Sequence, residues 1–214
     1  MSEPEWPDYL GGVSRDYIYA IGVLIANWNN LEEQFVWLLW ELIDSPYAAE
    51  SLTSSLNNSD RFELLKSLAF DKIEEEEDRS LINQLVSYTS ICNQNRNIVA
   101  HASFSTVDFE KQMIATKRKS GKGTERSHYR FSLDELRQAA DQTMEVFQVT
   151  KDMRKWLKAK QTKGKNLRTL TTRNQFGVGP NLTIRVHSFE IKRPVLPEKP
   201  KTLIPLPPKR RASP

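Results

Sequence analysis

The longest regular feature of the chain is an apolar stripe. Ile21, Leu24, Trp28, Leu31, Phe35, Leu38 and Leu42 follow one another at alternating steps of three and four. Only a helix keeps such residues on one side, and the pattern runs from about Ser14 to Ile43. Ser14 stands where an N-cap belongs, with Asp16 in the first turn. A second apolar set, Val36, Trp37, Leu39, Trp40 and Ile43, lies off the stripe. A helix greasy on two sides is buried on two sides. Other helices of a bundle surround its C-terminal half, or a second protomer covers it.

The following segments read as further helices. Asp44-Ser45-Pro46 stops the first and opens a short second one, with Pro46 at its first position. Ser59 is read as the cap of a helix over Asp60 to Lys72, with Phe62, Leu65, Leu68 and Ala69 inward. Glu74 to Asp78 are five consecutive acids, suited to a helix N-terminus and too collinear to face one metal. The next helix runs from Ser80 to Val99. Ser132-Leu133-Asp134-Glu135 is a capping box opening a last helix to about Lys158.

Between His101 and Ser132 the period changes. Phe104 to Lys119 and Thr124 to Phe131 are rich in β-branched and aromatic residues, around Ser120-Gly121-Lys122-Gly123. This predicts an inserted β-hairpin over about 104–131. The glycine turn lacks the frame of a phosphate-binding Walker loop. Lys117, Arg118, Lys119, Lys122, Arg126 and Arg130 make the hairpin basic. They suit an RNA backbone, or equally a solvated edge guarded by cations. The expected fold class is thus all-α: a helical bundle over 14–158 with this hairpin inserted. Residues 1–12 read as an irregular lead-in.

Residues 159–214 form a basic, Pro-rich extension. Leu182 to Ile191 could make one strand, and Pro194 to Pro214, with seven prolines, reads as extended or disordered. Charge is divided sharply. Residues 1–150 carry 14 Lys and Arg against 24 Asp and Glu, net −10. Residues 151–214 carry 17 against 3, net +14. Such a tail meets polyanions, or the acidic body, or only solvent. No run of 18 apolar residues is present, and the N-terminus, Met1-Ser2-Glu3-Pro4-Glu5, has no apolar signal core. The lone Cys92 permits no internal disulfide and no cysteine-built metal site. A cytoplasmic protein without cofactor or metal is expected.

The concentrated chemistry lies in Arg96-Asn97-Ile98-Val99-Ala100-His101. At about 100° per residue, Asn93, Arg96, Asn97 and His101 share one helix face, provided that the helix reaches His101. Histidine titrates near neutrality and suits proton transfer. Arginine offers phosphate a fixed fork of donors. Asn97 stands one turn back from His101, placed to orient it. Glu32, on the first helix, is an auxiliary candidate. The plain alternative is a helix end whose Arg and His satisfy the last carbonyls.

A long Trp-rich helix, two shorter ones and a helix ending in Arg-Asn-x3-His resemble the HEPN superfamily (higher eukaryotes and prokaryotes nucleotide-binding domain). The resemblance covers about residues 14–158, and Arg96, Asn97 and His101 match the family's Arg-polar-x3-His signature. It implies an α-helical bundle, often a homodimer, and frequently metal-independent RNA cleavage. Many members are toxins or act in antiviral defence, so an antitoxin or regulatory protein joins RNA among the implied partners. Other members only bind nucleotides or proteins, which leaves a non-catalytic RNA- or protein-binding adaptor as the alternative. The basic extension is not part of the family pattern. His128 and His187 are the only other histidines. If the reaction needs two imidazoles, a two-fold dimer joining two motifs is the simplest supply.

Overall fold

The stripe of the first helix is the axis of the molecule. In a computed structural model, which describes residues 9–10, 13–43, 45–107, 112–118, 126–164 and 192–203, helix α1 spans Arg15–Leu42. Leu24, Trp28, Leu31, Phe35, Leu38 and Leu42 are all buried along it. Four more helices follow: α2 (Pro46–Ser55), α3 (Asn58–Lys72), α4 (Glu76–Ala100) and α5 (Leu133–Gly164). The described chain is mostly helical.

Local chemistry explains most of the boundaries. The Ser45 hydroxyl accepts from the Ala48 amide, with Pro46 at the first position of α2. The capping box is reciprocal: Ser132 N–H donates to the Glu135 carboxylate at 2.7 Å, and Glu135 N–H to the Ser132 hydroxyl at 3.2 Å. Three expected boundaries move. Asn57, rather than Ser59, caps α3, its side-chain oxygen accepting from Asp60 N at 3.1 Å. Helix α4 begins a turn early, because acids in a first turn favour the positive helix end. Helix α5 continues to Gly164 rather than ending near Lys158.

The inserted β element is a three-stranded antiparallel meander, not a hairpin. Its strands are β3 (Ser103–Val107), β4 (Gln112–Arg118) and β5 (Arg126–Phe131), in that spatial order. A single strand from Phe104 to Lys119 would extend roughly 50 Å, far beyond the usual strand. The chain turns instead between Val107 and Gln112, which pair across β3 and β4. The lead-in also contains a short antiparallel strand pair, β1 (Tyr9–Leu10) with β2 (Val13–Ser14). The expected turn at 120–123 and strand at 182–191 lie outside the described residues.

Two apolar clusters fill the interior. One joins the C-terminal half of α1 to α3, the first half of α4 and the second half of α5. The other joins Val13, Tyr17, Ala20 and Leu24 to Ile98, Val99, the inner face of the sheet, the start of α5 and Leu203. The second apolar face of α1 is occupied within one protomer. Leu39 lies in the first cluster, and Trp40 Nε1 donates to the Thr53 hydroxyl of α2 at 3.0 Å. The Trp37 ring carries the Arg154 guanidinium of α5 at 4.7 Å. Val36, Trp37, Trp40 and Ile43 of that face remain half-buried. No helix of the described residues is long and apolar enough to cross a membrane.

The segment 192–203 is extended and docked rather than disordered. It lies along α4 and α5, with Arg193 on Glu77 and Asp78 and with Leu203 buried in the second cluster. The acidic run thus receives the chain's own cations. Asp78, 5% exposed, takes Lys160 of α5 at 2.6 Å and Arg193 at 3.2 Å.

Candidate active site

Helix α4 presents two faces with different work. Ile82, Leu85, Val86, Cys92, Ile98 and Val99 point into the core. Burial pushes the Cys92 thiol up to about 11, despite a bond from Thr143 that works the other way. It is a packing residue, not a nucleophile. Asn93, Arg96 and Asn97 lie half-buried on the other side.

The expected row exists as a chain of bonds. Arg96 donates from Nη1 to Asn97 Oδ1 at 2.9 Å, and Asn97 donates from Nδ2 to Asn93 Oδ1 at 3.3 Å. Asn97 therefore orients Arg96, and no bond joins it to His101. Arg96 Nε is buried without a partner, and no carboxylate pairs with this guanidinium among the described residues. Its guanidinium thus keeps donors without a partner among the described residues, as Arg79 Nε does at the other end of the helix.

The helix stops one residue short of the rotation that would carry His101 on. Ala100 is its last residue, and His101, exposed, takes the C-cap position at φ −123° and ψ 13°. No glycine or proline ends the helix here. The half-buried Phe104, packed on the second cluster, draws the chain into β3 instead. Neither Arg96 nor His101 bonds a terminal carbonyl of α4 among the described residues.

The sheet supplies neighbours that the linear motif did not announce. Ser103 is two residues beyond His101, and Ser103, Thr116 and His128 stand opposite one another across three strands. At about 4.8 Å per strand, the His128 backbone lies roughly 10 Å from that of Ser103. Ser103, Phe104, Ser105, Thr116, Arg126 and His128 line an open basin of about 270 Å³. Among the described residues its lining contains hydroxyls, an imidazole and a guanidinium, and no carboxylate. His128 Nδ1 and Thr116 Oγ1 are 3.0 Å apart, which fixes the ring. The i, i+2 spacing of Arg126, His128 and Arg130 is the sequence signal for this face.

The remaining candidates are distributed as follows. Arg126 and Arg130 are exposed on β5, without a carboxylate partner among the described residues. Lys117 and Arg118 belong to β4, where Arg118 pairs in register with Arg126. Lys119 and Lys122 lie outside the described residues. Glu32 is committed elsewhere: it accepts from Arg61 at 3.0 Å, and Arg61 also donates to the Thr53 carbonyl, tying α1 to α2 and α3. Among the described residues no three His, Cys, Asp or Glu side chains converge as a metal set.

No protein-family model matches the chain, and neither a curated protein nor a solved structure does.

Proposed function

We propose that the chain is a metal-independent endoribonuclease of HEPN type, with Arg96, Asn97 and His101 at its centre. The observation that supports this reading is the Arg96 guanidinium, bonded to Asn97 and without a carboxylate partner among the described residues, on the helix that ends at the exposed His101, two residues before Ser103 on the basin. In this mechanism His101 takes the proton of a ribose 2′-hydroxyl. The 2′-oxygen bonds to phosphorus, the bond from phosphorus to the 5′-oxygen breaks, and that oxygen receives a proton. Arg96 holds the non-bridging oxygens as charge gathers on them. The products are a 2′,3′-cyclic phosphate and a 5′-hydroxyl.

A second imidazole protonates the leaving oxygen. A homodimer joining two motifs provides it as a second His101. His128 provides it without a second copy, from the basin beyond Ser103. Arg126 and Arg130 guide the RNA backbone, together with Lys117, Arg118, Lys119 and Lys122. Such an activity, as in toxins and defence effectors, calls for restraint by an antitoxin or regulatory protein.

The second reading is a non-catalytic adaptor of the same family. The docking of the chain's own basic tail on the acidic start of α4 favours it, since it is a protein–peptide interaction already made. Incubation with single-stranded RNA and mapping of the ends distinguishes the two. Cyclic-phosphate ends that disappear in His101→Ala support the nuclease, and intact RNA in the wild type supports the adaptor. Loss of cleavage in His128→Ala assigns the second imidazole to the same protomer, and full activity assigns it to a partner.

A further inference from the structure

The segment 192–203 binds the body in the manner of a ligand. Pro194 and Pro197 are half-buried, Pro200 and Leu203 are buried, and Val195, Glu198, Lys199, Lys201 and Thr202 are exposed. Leu196 is half-buried as well, against the first cluster, and Pro194, Pro197, Pro200 and Leu203 are spaced by three. That is the period of a polyproline II helix, which has three residues per turn. The dimensions agree: from Asp78 to Asn95, α4 advances about 26 Å. The ten steps from Arg193 to Leu203 span about 31 Å at the polyproline rise.

A polyproline helix makes no internal hydrogen bonds, so its backbone is free to be read. Asn95 reads it twice, donating from Nδ2 to the Lys201 carbonyl at 2.8 Å and accepting at Oδ1 from Leu203 N–H at 3.0 Å. Gln142 of α5 accepts from Lys201 N–H at 3.0 Å. Asn95 is 1% exposed and Gln142 is 7% exposed. Two amides this deep are costly unless something bonds them, and only an extended backbone does so here. At the far end Arg193 meets Glu77 at 2.9 Å and Asp78 at 3.2 Å. A charge anchor, backbone-reading amides and a terminal leucine pocket together define direction and register.

We infer that the groove between α4 and α5 is a binding site for a polyproline II peptide of the pattern Arg-Pro-x-x-Pro-x-x-Pro-x-x-Leu, and that residues 193–203 occupy it in cis as a releasable latch. The site is independent of the nuclease reading. Twenty-seven residues, 165–191, separate α5 from the segment. Tethering favours the chain's own copy over a free peptide of equal affinity, as an intramolecular ligand does by effective concentration. The latch ends beside Asn95, the residue before Arg96, so its release alters the support of the motif helix.

The test uses the full chain and a fluorescent synthetic peptide of residues 192–203. Leu203→Asp frees the latch and opens the groove. It should bind the peptide at least tenfold more tightly than the wild type does, and adding Asn95→Ala should abolish the gain. If Leu203→Asp does not fold, Lys201→Pro replaces it, because it removes only an N–H that Gln142 accepts, outside any helix. In the wild type, amide exchange should be slow at Lys201 and Leu203 and fast at Lys199 and Thr202. Equal peptide binding by a folded latch variant and the wild type overturns the inference. Uniformly fast exchange across 199–203 overturns it as well.

Discussion

At the first turn of α4, Glu75 and Asp78 each take Lys160 at 2.6 Å, and Glu77 and Asp78 take Arg193. At the last turn, among the described residues, Arg96 bonds only the neutral Asn97, its Nε is unpartnered, and His101 stands exposed. One helix thus carries an end crossed by ion pairs and an end without one among the described residues, although Arg79 Nε in the first turn is, like Arg96 Nε, buried without a partner. Paired charges hold elements together, here α4, α5 and the C-terminal segment. Charges left without partners, in a protein that elsewhere provides them, are the ones available to a ligand. Removing a side chain should therefore affect stability at one end and activity at the other.

The largest expected separation is at Arg96. Arg96→Ala should slow RNA cleavage about 100- to 1,000-fold, the usual effect of losing a donor to a developing oxyanion. The melting free energy should change by less than about 1 kcal/mol, because the substitution also removes a buried, unbonded Nε. Cleavage rates and denaturant midpoints measured on the same preparation check this pair of values. A large loss of stability would place Arg96 among the structural charges.

Asp78→Ala should show the reverse. It strands Lys160 and Arg193, both more than a third exposed, so the cost is moderated by solvent to about 1–3 kcal/mol. Cleavage per folded molecule should stay unchanged. Urea unfolding gives the first quantity and single-turnover cleavage the second. Asn97→Ala should fall between the two ends in kind: about a tenfold slower reaction, equivalent to one orienting hydrogen bond, with stability nearly intact. If Asn97 acted through His101 instead, the variant would change the pH–rate profile rather than only its height.

The smallest effect is on pH dependence. The bond from Lys160 holds the Glu75 carboxyl below its usual range. Burial pulls Lys160 down, but its bonds to Asp78 and Glu75 outweigh that and leave it raised. A depressed acid stabilises the fold above its unfolded pKa and stops doing so as pH falls through the folded one. A raised amine stabilises below its unfolded pKa and stops as pH rises through the folded one. The clamp should be fully present from about pH 5 to 10 and weaken on both sides. Thermal melts across that range, repeated in Lys160→Met, should show shallower decline at both extremes in the variant.

Much of this was legible where one local rule operates alone. The α1 stripe, the Ser45-Pro46 start and the Ser132 capping box each follow from one period or one hydrogen-bond pattern. So does the row of Asn93, Arg96 and Asn97, since helix rotation fixes it. The rest needed information that adjacent residues do not hold. Asn57 and Ser59 are both good caps, and only the chain path chooses between them. The break of one long β segment into β3 and β4 is set by the pairing of its two halves, which strand propensity alone does not locate. The bond from Arg96 to Asn97 depends on rotamers, so Asn97 reads equally well as a partner of His101. In the tail, the three-residue period from Pro194 to Leu203 was hidden by proline density. It becomes meaningful only beside Asn95 and Gln142, which stand about 106 and 59 residues away in sequence.

The central claim, that the C-terminal end of α4 cuts RNA, is tested most directly at His101. Purified wild type and His101→Ala are incubated with a panel of single-stranded RNAs in EDTA, with matched DNA alongside. The account predicts cutting of RNA only, 2′,3′-cyclic phosphate ends, and a rate at least about 100-fold lower in His101→Ala. Its melting temperature should stay close to that of the wild type, as for an exposed residue. Cleavage by His101→Ala at the wild-type rate would contradict the account, and so would a wild type inert toward the whole panel.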